Sequence, residues 1–214
     1  METMSMVNRM DNKYNMMVDE RIANDSPEIF GNFSRENAKH IIQAFIRSAQ
    51  QSVTILGGSM PDEFYTDLNS DASNGEKTGV GSSMSKSVFM SLAQAAGTLA
   101  TTVQDDSTIP IRIIILDDDD EEFDAFVEET NRSLNKQIIK VIHAQYHGRL
   151  PLNHYLVVDH KRYRLEKPHD PFHGIYPDIL QAEVCCNDPR KAKKIEKSFN
   201  AIWKKLCKDG TNNA

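Results

Sequence analysis

Few features of this sequence tie it to an oxidising compartment or to a lipid bilayer. Its 3 cysteines include two neighbours, Cys185 and Cys186. That spacing provides neither a disulfide framework nor a metal site, so reduced thiols in a cytoplasmic protein are expected. No run approaches the ~18 apolar residues that a membrane span requires. The opening METMSMVNRMDNKYNMM lacks the apolar core of a secretory leader. There is no internal repeat. An overall excess of positive charge is missing too: the net charge is −6, which argues against a chain coated in nucleic acid.

The charge is nevertheless uneven. From Asn187 onward eight basic residues (Arg190, Lys191, Lys193, Lys194, Lys197, Lys204, Lys205, Lys208) face three acids, a local charge of +5, so the first 186 residues carry −11. A basic helix on an acidic body suits a phosphate backbone or an acidic protein partner. At 214 residues, 39% apolar and 26% charged, the chain has the makings of one soluble domain with a sizeable core.

Residues 1–33 are rich in Met, Asn and Asp without clear periodicity and read as an arm, ordered only where it docks. One domain is expected over 34–208, with a short tail at 209–214. Ser34 suits an N-cap, and Ala38, Ile41, Ile42, Phe45, Ile46 and Ala49 recur at helical spacing over roughly 35–50. SVTIL (52–56) reads as a strand stopped by Gly57 and Gly58, and Pro61 opens a further helix. The small, polar stretch 69–87 predicts a mobile loop. A helix resumes near Lys86. IPIRIIIL (109–116) carries a β-branched run, as a strand buried on both faces would. The acidic run from Asp117 leads into a helix carrying Phe123, Phe126 and Val127, and helix capping explains it more simply than a metal. IIKVIHAQ (138–145) and QAEVCC (181–186) are further strands. Between them NHYLVVDHKRYRLE (153–166) forms a hairpin. Pro189 then opens a last helix with a stripe of Ile195, Phe199, Ile202, Trp203 and Leu206. Strands alternating with helices predict an α/β fold: a mostly parallel or mixed sheet with helices on both faces.

From Ser34 to Leu206 this order of landmarks resembles one half of the phospholipase D superfamily. SVTILGGS looks like its first sheet strand and turn, IRIIIL like the next, NHYLVVDHKRYRLE occupies the place of the catalytic hairpin, and FNAIWKKL looks like the closing helix. The family signature is His-x-Lys, four residues, Asp, then Gly-Ser and Asn. With His154 set on the family histidine, Leu156 and Lys161 take the lysine and aspartate positions. With Asp159 set on the aspartate, Leu152 and His154 take the other two. RYRLEKP stands where Gly-Ser would follow.

In the family a histidine attacks phosphorus, a lysine neutralises the phosphate oxygens, and a histidine of the other half protonates the leaving group. A single half implies a homodimer with the site on its two-fold axis. Here the resemblance implies a domain with a degenerate active site, acting as a binding or regulatory module for a phosphate-bearing ligand, a nucleic acid or a protein. The alternative is a metal-independent phosphodiesterase, a nuclease or phospholipase, with His154 and Glu166 as catalytic groups and no cofactor.

Two candidate phosphate ligands, Arg162 and Arg164, depend on the hairpin turn. A two-residue turn sends Arg162, Arg164 and Glu166 to the face opposite His154, and a three-residue turn brings all four to one face. Gly57, Gly58 and Ser59 follow a strand and could aim N–H groups at a phosphate, though ordinary turn chemistry explains them equally, and no P-loop lysine follows. Lys193, Lys194 and Lys197 are the candidate nucleic-acid or partner contacts. His143, His147, His169 and His173 lack the spacing of a helical zinc site and read as strand-end and loop histidines.

Overall fold

The computed structural model describes residues 2–32, 35–57, 82–103, 108–116, 121–144, 153–166 and 182–210. Twelve elements follow one another: α1 (Glu2–Ala23), β1 (Ile29–Asn32), α2 (Arg35–Arg47), β2 (Val53–Gly57), α3 (Ser82–Thr102), β3 (Ile111–Ile115), α4 (Glu121–Ser133), β4 (Ile139–His143), β5 (Tyr155–Val158), β6 (Arg162–Glu166), β7 (Ala182–Cys185) and α5 (Pro189–Gly210). The strands form one seven-stranded sheet in the order β1-β7-β6-β5-β2-β3-β4. Parallel pairing is confined to β2, β3 and β4, while β2–β5, β5–β6, β6–β7 and β1–β7 are antiparallel.

Strand alternation divides the apolar residues between two faces. On one, Val53, Ile55, Ile111, Ile113, Leu156, Val158 and Val184 meet Ile41 and Phe45 of α2, Leu92 and Leu99 of α3, and Phe123 of α4. On the other, Leu56, Ile114, Tyr155, Val157 and Tyr163 meet Ala192, Ile195 and Phe199 of α5. β3 alternates between the two cores and is nearly all buried, which accounts for its four isoleucines. Helices cover both faces, as the sequence pattern predicts.

The segment read as an arm supplies α1 and β1. Val18 of α1 is fully buried, the Tyr14 hydroxyl donates to the Gly31 carbonyl at 2.7 Å, and β1 pairs with β7 at the sheet edge. α3 begins at Ser82, so the end of the 69–87 stretch is helical. Ser34, Pro61 and the rest of that stretch lie outside the described residues. No described helix is long and apolar enough to cross a membrane.

Candidate functional site

The hairpin turn is the first determinant of the site. Val158 pairs with Arg162, leaving Asp159, His160 and Lys161 as a three-residue loop. Lys161 N donates to the Val158 carbonyl at 3.2 Å, and Asp159 and His160 have φ of 53° and 57°. Two residues in succession thus occupy the left-handed region at the tip of the hairpin. Asp and His tolerate this region better than most side chains.

Asp159 holds the turn against the start of β2. Its Oδ1 accepts from the backbone N–H groups of Gln50, Gln51 and Ser52 at 3.0, 2.7 and 3.1 Å. Its Oδ2 accepts from Arg162 Nη1 at 3.3 Å. Arg162 Nη2 also donates to Asp25 Oδ1, and Lys161 Nζ to Asp25 Oδ2, both at 2.6 Å. The hydrogen bond from Lys161, with the neighbouring charges, holds the Asp25 carboxyl below the ordinary carboxylate range. Arg162 therefore ties the hairpin to the end of α1, between two carboxylates.

The three-residue turn puts Arg162, Arg164 and Glu166 on the face of Val158, Leu156 and His154. Arg164 Nε donates to Asn32 Oδ1 at 3.0 Å, and its Nη1 to Glu166 Oε1 at 2.5 Å. Glu166 Oε2 faces His154 Nδ1 at 3.4 Å, and Glu166 N donates to the His154 carbonyl at 2.9 Å. Asn32, Arg164, Glu166 and His154 thus form a chain of polar contacts across β1, β6 and the start of β5. Arg164 and Glu166 are 3% and 2% exposed, so their opposite charges balance within the fold.

Strand register places this chain at the carboxyl ends of β2, β3 and β4. Leu56 pairs with Tyr155, so Gly57 is level with His154, and Gly57, Ile115 and His143 continue the row across β2, β3 and β4. β2 lies between a parallel and an antiparallel neighbour. Ligands of open α/β sheets bind at this kind of edge, where the strand order reverses. A Cβ added to Gly57 would meet no atom within 4 Å. Gly58 and Ser59 lie outside the described residues, as do His147, His169 and His173. His143 Nε2 meets Asp124 Oδ1 at 3.0 Å, an α4–β4 contact. Among the described residues no group of three or more His, Cys, Asp or Glu is arranged to hold a metal ion.

Lys193, Lys194 and Lys197 are all exposed on α5, on the opposite face of the sheet and toward its turn end. There His160 Nδ1 meets both Glu196 oxygens at 2.8 Å, and this hydrogen bond raises the imidazole pKa. The candidate residues therefore fall into two groups, one at His154 and one along α5.

Sequence reasoning missed Asn32, Asp25, Glu196 and the clamp formed by Asp159. Asn32 and Asp25 sit in a segment whose apolar pattern is thin. Glu196 is one acid among lysines and gains meaning only through its contact with the turn. The Asp-His pair at a hairpin tip was the available signal for Asp159, since few other residues accept two positive φ values in succession.

The landmarks that resemble the phospholipase D superfamily lie together in one α/β unit: a glycine-ended strand, its parallel neighbour, the hairpin beside it and a closing helix. No protein-family model matches the sequence, and no curated protein matches it. Solved structures do match. TrmBL2, described as an archaeal chromatin protein with a novel mode of DNA binding, is 7% identical with a TM-score of 0.50, over 95% of this chain and 64% of that one. Nuc from Salmonella typhimurium, a phospholipase D family member, is 14% identical with a TM-score of 0.46, over 84% of this chain and 95% of its own. NucT from Helicobacter pylori is 11% identical with a TM-score of 0.49, over 83% and 97%. The chain thus spans just under two thirds of TrmBL2. At these identities the likeness is one of fold.

Proposed function

We propose that this protein is a nucleic-acid-binding module on a phospholipase D-like fold, with a decayed catalytic signature and an accessory or regulatory role. The observation that carries it is the outer face of α5, where Lys193, Lys194, Lys197, Lys204, Lys205 and Lys208 are all exposed. Phosphate-backbone attraction requires such a face and no base-specific geometry. TrmBL2, similar in fold, is described as binding DNA, the class of partner this face suits. The hairpin arginines support the decay of phosphate chemistry at His154, because carboxylates of the same chain already balance both. A cytoplasmic setting accords with three free thiols.

The test is binding of a fluorescently labelled duplex, followed by anisotropy from 50 to 200 mM salt. Reversing three lysines in K193E/K194E/K197E should weaken binding at least about tenfold and flatten the salt dependence by up to about three logarithmic units per decade. Unchanged affinity and slope would reduce α5 to a solvated surface.

The contact of His154 with the buried Glu166 favours a second reading. A carboxylate that orients an imidazole raises its use as a nucleophile or base, and a homodimer would bring two His154 side chains together. This reading expects metal-free hydrolysis of bis-(p-nitrophenyl) phosphate that H154A abolishes. Equal background rates for parent and variant would remove it.

A further inference from the structure

We infer that nucleic acid follows one flank of α5, the flank that turns toward β3 and β4, where two cations of the sheet join three lysines of the helix. The inference rests on the nucleic-acid reading and narrows it to a path.

A shallow concavity on the helix is lined by Lys193, Glu196, Lys197, Asn200, Ala201 and Lys204. These positions recur at spacings of three and four and so share one side. Arg112 of β3 reaches the same side, where its Nη1 donates to Asn200 Oδ1 at 2.7 Å. Its guanidinium carbon lies 5.3 Å from the centre of the Phe199 ring and 5.9 Å from that of Trp203. Lys140 Nζ of β4 lies 5.9 Å from the same indole. Helix and sheet together therefore present Lys193, Lys197, Lys204, Arg112 and Lys140 along one strip.

Glu196 is the acid within that strip. It lines the concavity but is 6% exposed, and both its oxygens meet His160 Nδ1, so its charge is partnered by the hairpin turn. The other flank differs. Lys194 and Lys205 are exposed but line no part of the concavity, and Lys191 is drawn to Glu183 and lies over Tyr163. At 100° per residue, Lys194 stands a quarter-turn or more away from Lys193.

The strip suits a backbone rather than bases. Lys193 to Lys204 covers about 16 Å at 1.5 Å per residue, enough for several phosphates in succession. Trp203 stacks on Phe199 with ring centres 5.4 Å apart and has Arg112 and Lys140 beside it, so its ring is already engaged. Binding should therefore be insensitive to base sequence and sensitive to salt.

The experiment compares two charge-matched variants of the full chain, K197E/K204E and K194E/K205E, with labelled duplexes of two unrelated sequences across a salt series. All four lysines are exposed, and circular dichroism checks that each variant folds. K197E/K204E should lose at least about tenfold in affinity and flatten the salt slope by about two, while K194E/K205E should lose less than about threefold. K140A should flatten the slope by about one with unfolding unchanged. If K194E/K205E loses as much as K197E/K204E or more, the path is overturned although the nucleic-acid reading survives. If neither variant loses affinity, both fall.

Discussion

Replacing Asp159 separates a clamp from a catalytic remnant. Asp159 is 8% exposed, and its carboxylate accepts three consecutive backbone N–H groups, those of Gln50, Gln51 and Ser52, along with Arg162. Hydrogen bonds to a charged group contribute about 1.5–3 kcal/mol each. Three amides sharing one oxygen do not add in full, so the set is worth about 4 kcal/mol to stability. The backbone conformation modifies this figure. At φ 53° an alanine pays a further ~1–2 kcal/mol that glycine and asparagine largely avoid.

D159G therefore reports the lost carboxylate, D159A adds the strain, and D159N keeps a neutral acceptor oxygen in place. For a domain of this size 1 kcal/mol moves the melting temperature by about 2–4 °C. D159G should melt about 12 °C below the parent and D159N about 6 °C below, with D159A lowest. Thermal and urea unfolding followed by circular dichroism measure the series. A D159G protein within about 1 kcal/mol of the parent would refute the clamp, as would a D159N protein less stable than D159A.

The His160–Glu196 contact predicts a pH dependence of stability. Because the folded imidazole is held above its ordinary value of 6.5, chiefly by the hydrogen bond to Glu196, its contribution is full below about pH 6.5 and fades as pH rises through the folded value. Urea titrations from pH 5.5 to 8.5 should show this decline in the parent and a flatter profile in H160Q; identical profiles would exclude the contact as a source. Thiol labelling should separate the three cysteines, since Cys185 and Cys186 are fully buried and Cys207 is part-exposed. Burial pushes the Cys186 thiol up to about 11, so a disulfide reagent should find one fast equivalent in the native protein and three in denaturant.

Much of the sheet was legible because its signals are local. The isoleucines of 111–115 marked a strand buried on both faces, and the 3.6-residue stripe of α5 marked a helix with one face in the core. The hairpin was legible too, but its parity was not. The turn Asp-His-Lys accommodates either length, and the contact that favours three residues joins Asp159 to Gln50, 109 positions away. Distant contacts likewise explain α1 and β1. Among the residues of α1 with described burial only Val18 is fully buried, with Tyr14, Met17 and Ile22 packed beside it, a short stripe hidden in a Met- and Asn-rich segment, and β1 is a four-residue edge strand. Their order comes from docking: Tyr14 on Gly31, Asp25 on Lys161 and Arg162, and Asn32 on Arg164.

That same parity alters the meaning of the two arginines. In the sequence, sharing a face with His154 was the condition for a phosphate grip. In the fold they do share it, yet the shared face is the one covered by α1 and α2, and the acids that meet them are Asp25, Asp159 and Glu166. A guanidinium buried against a carboxylate cannot take a phosphate without leaving that carboxylate buried and unbalanced, which costs several kcal/mol. A phosphate at His154 would therefore have to be held by other groups. The lysines of α5 are not those groups: they lie across the sheet, and Arg162 and Glu166 mark hairpin ends about 13 Å apart at 3.3 Å per residue. Any catalysis at His154 and any backbone attraction along α5 would thus be separable in this fold. H154A should leave the salt dependence of nucleic-acid binding intact, and reversing the α5 lysines should leave hydrolysis of a small diester intact, because sites this far apart contribute independently.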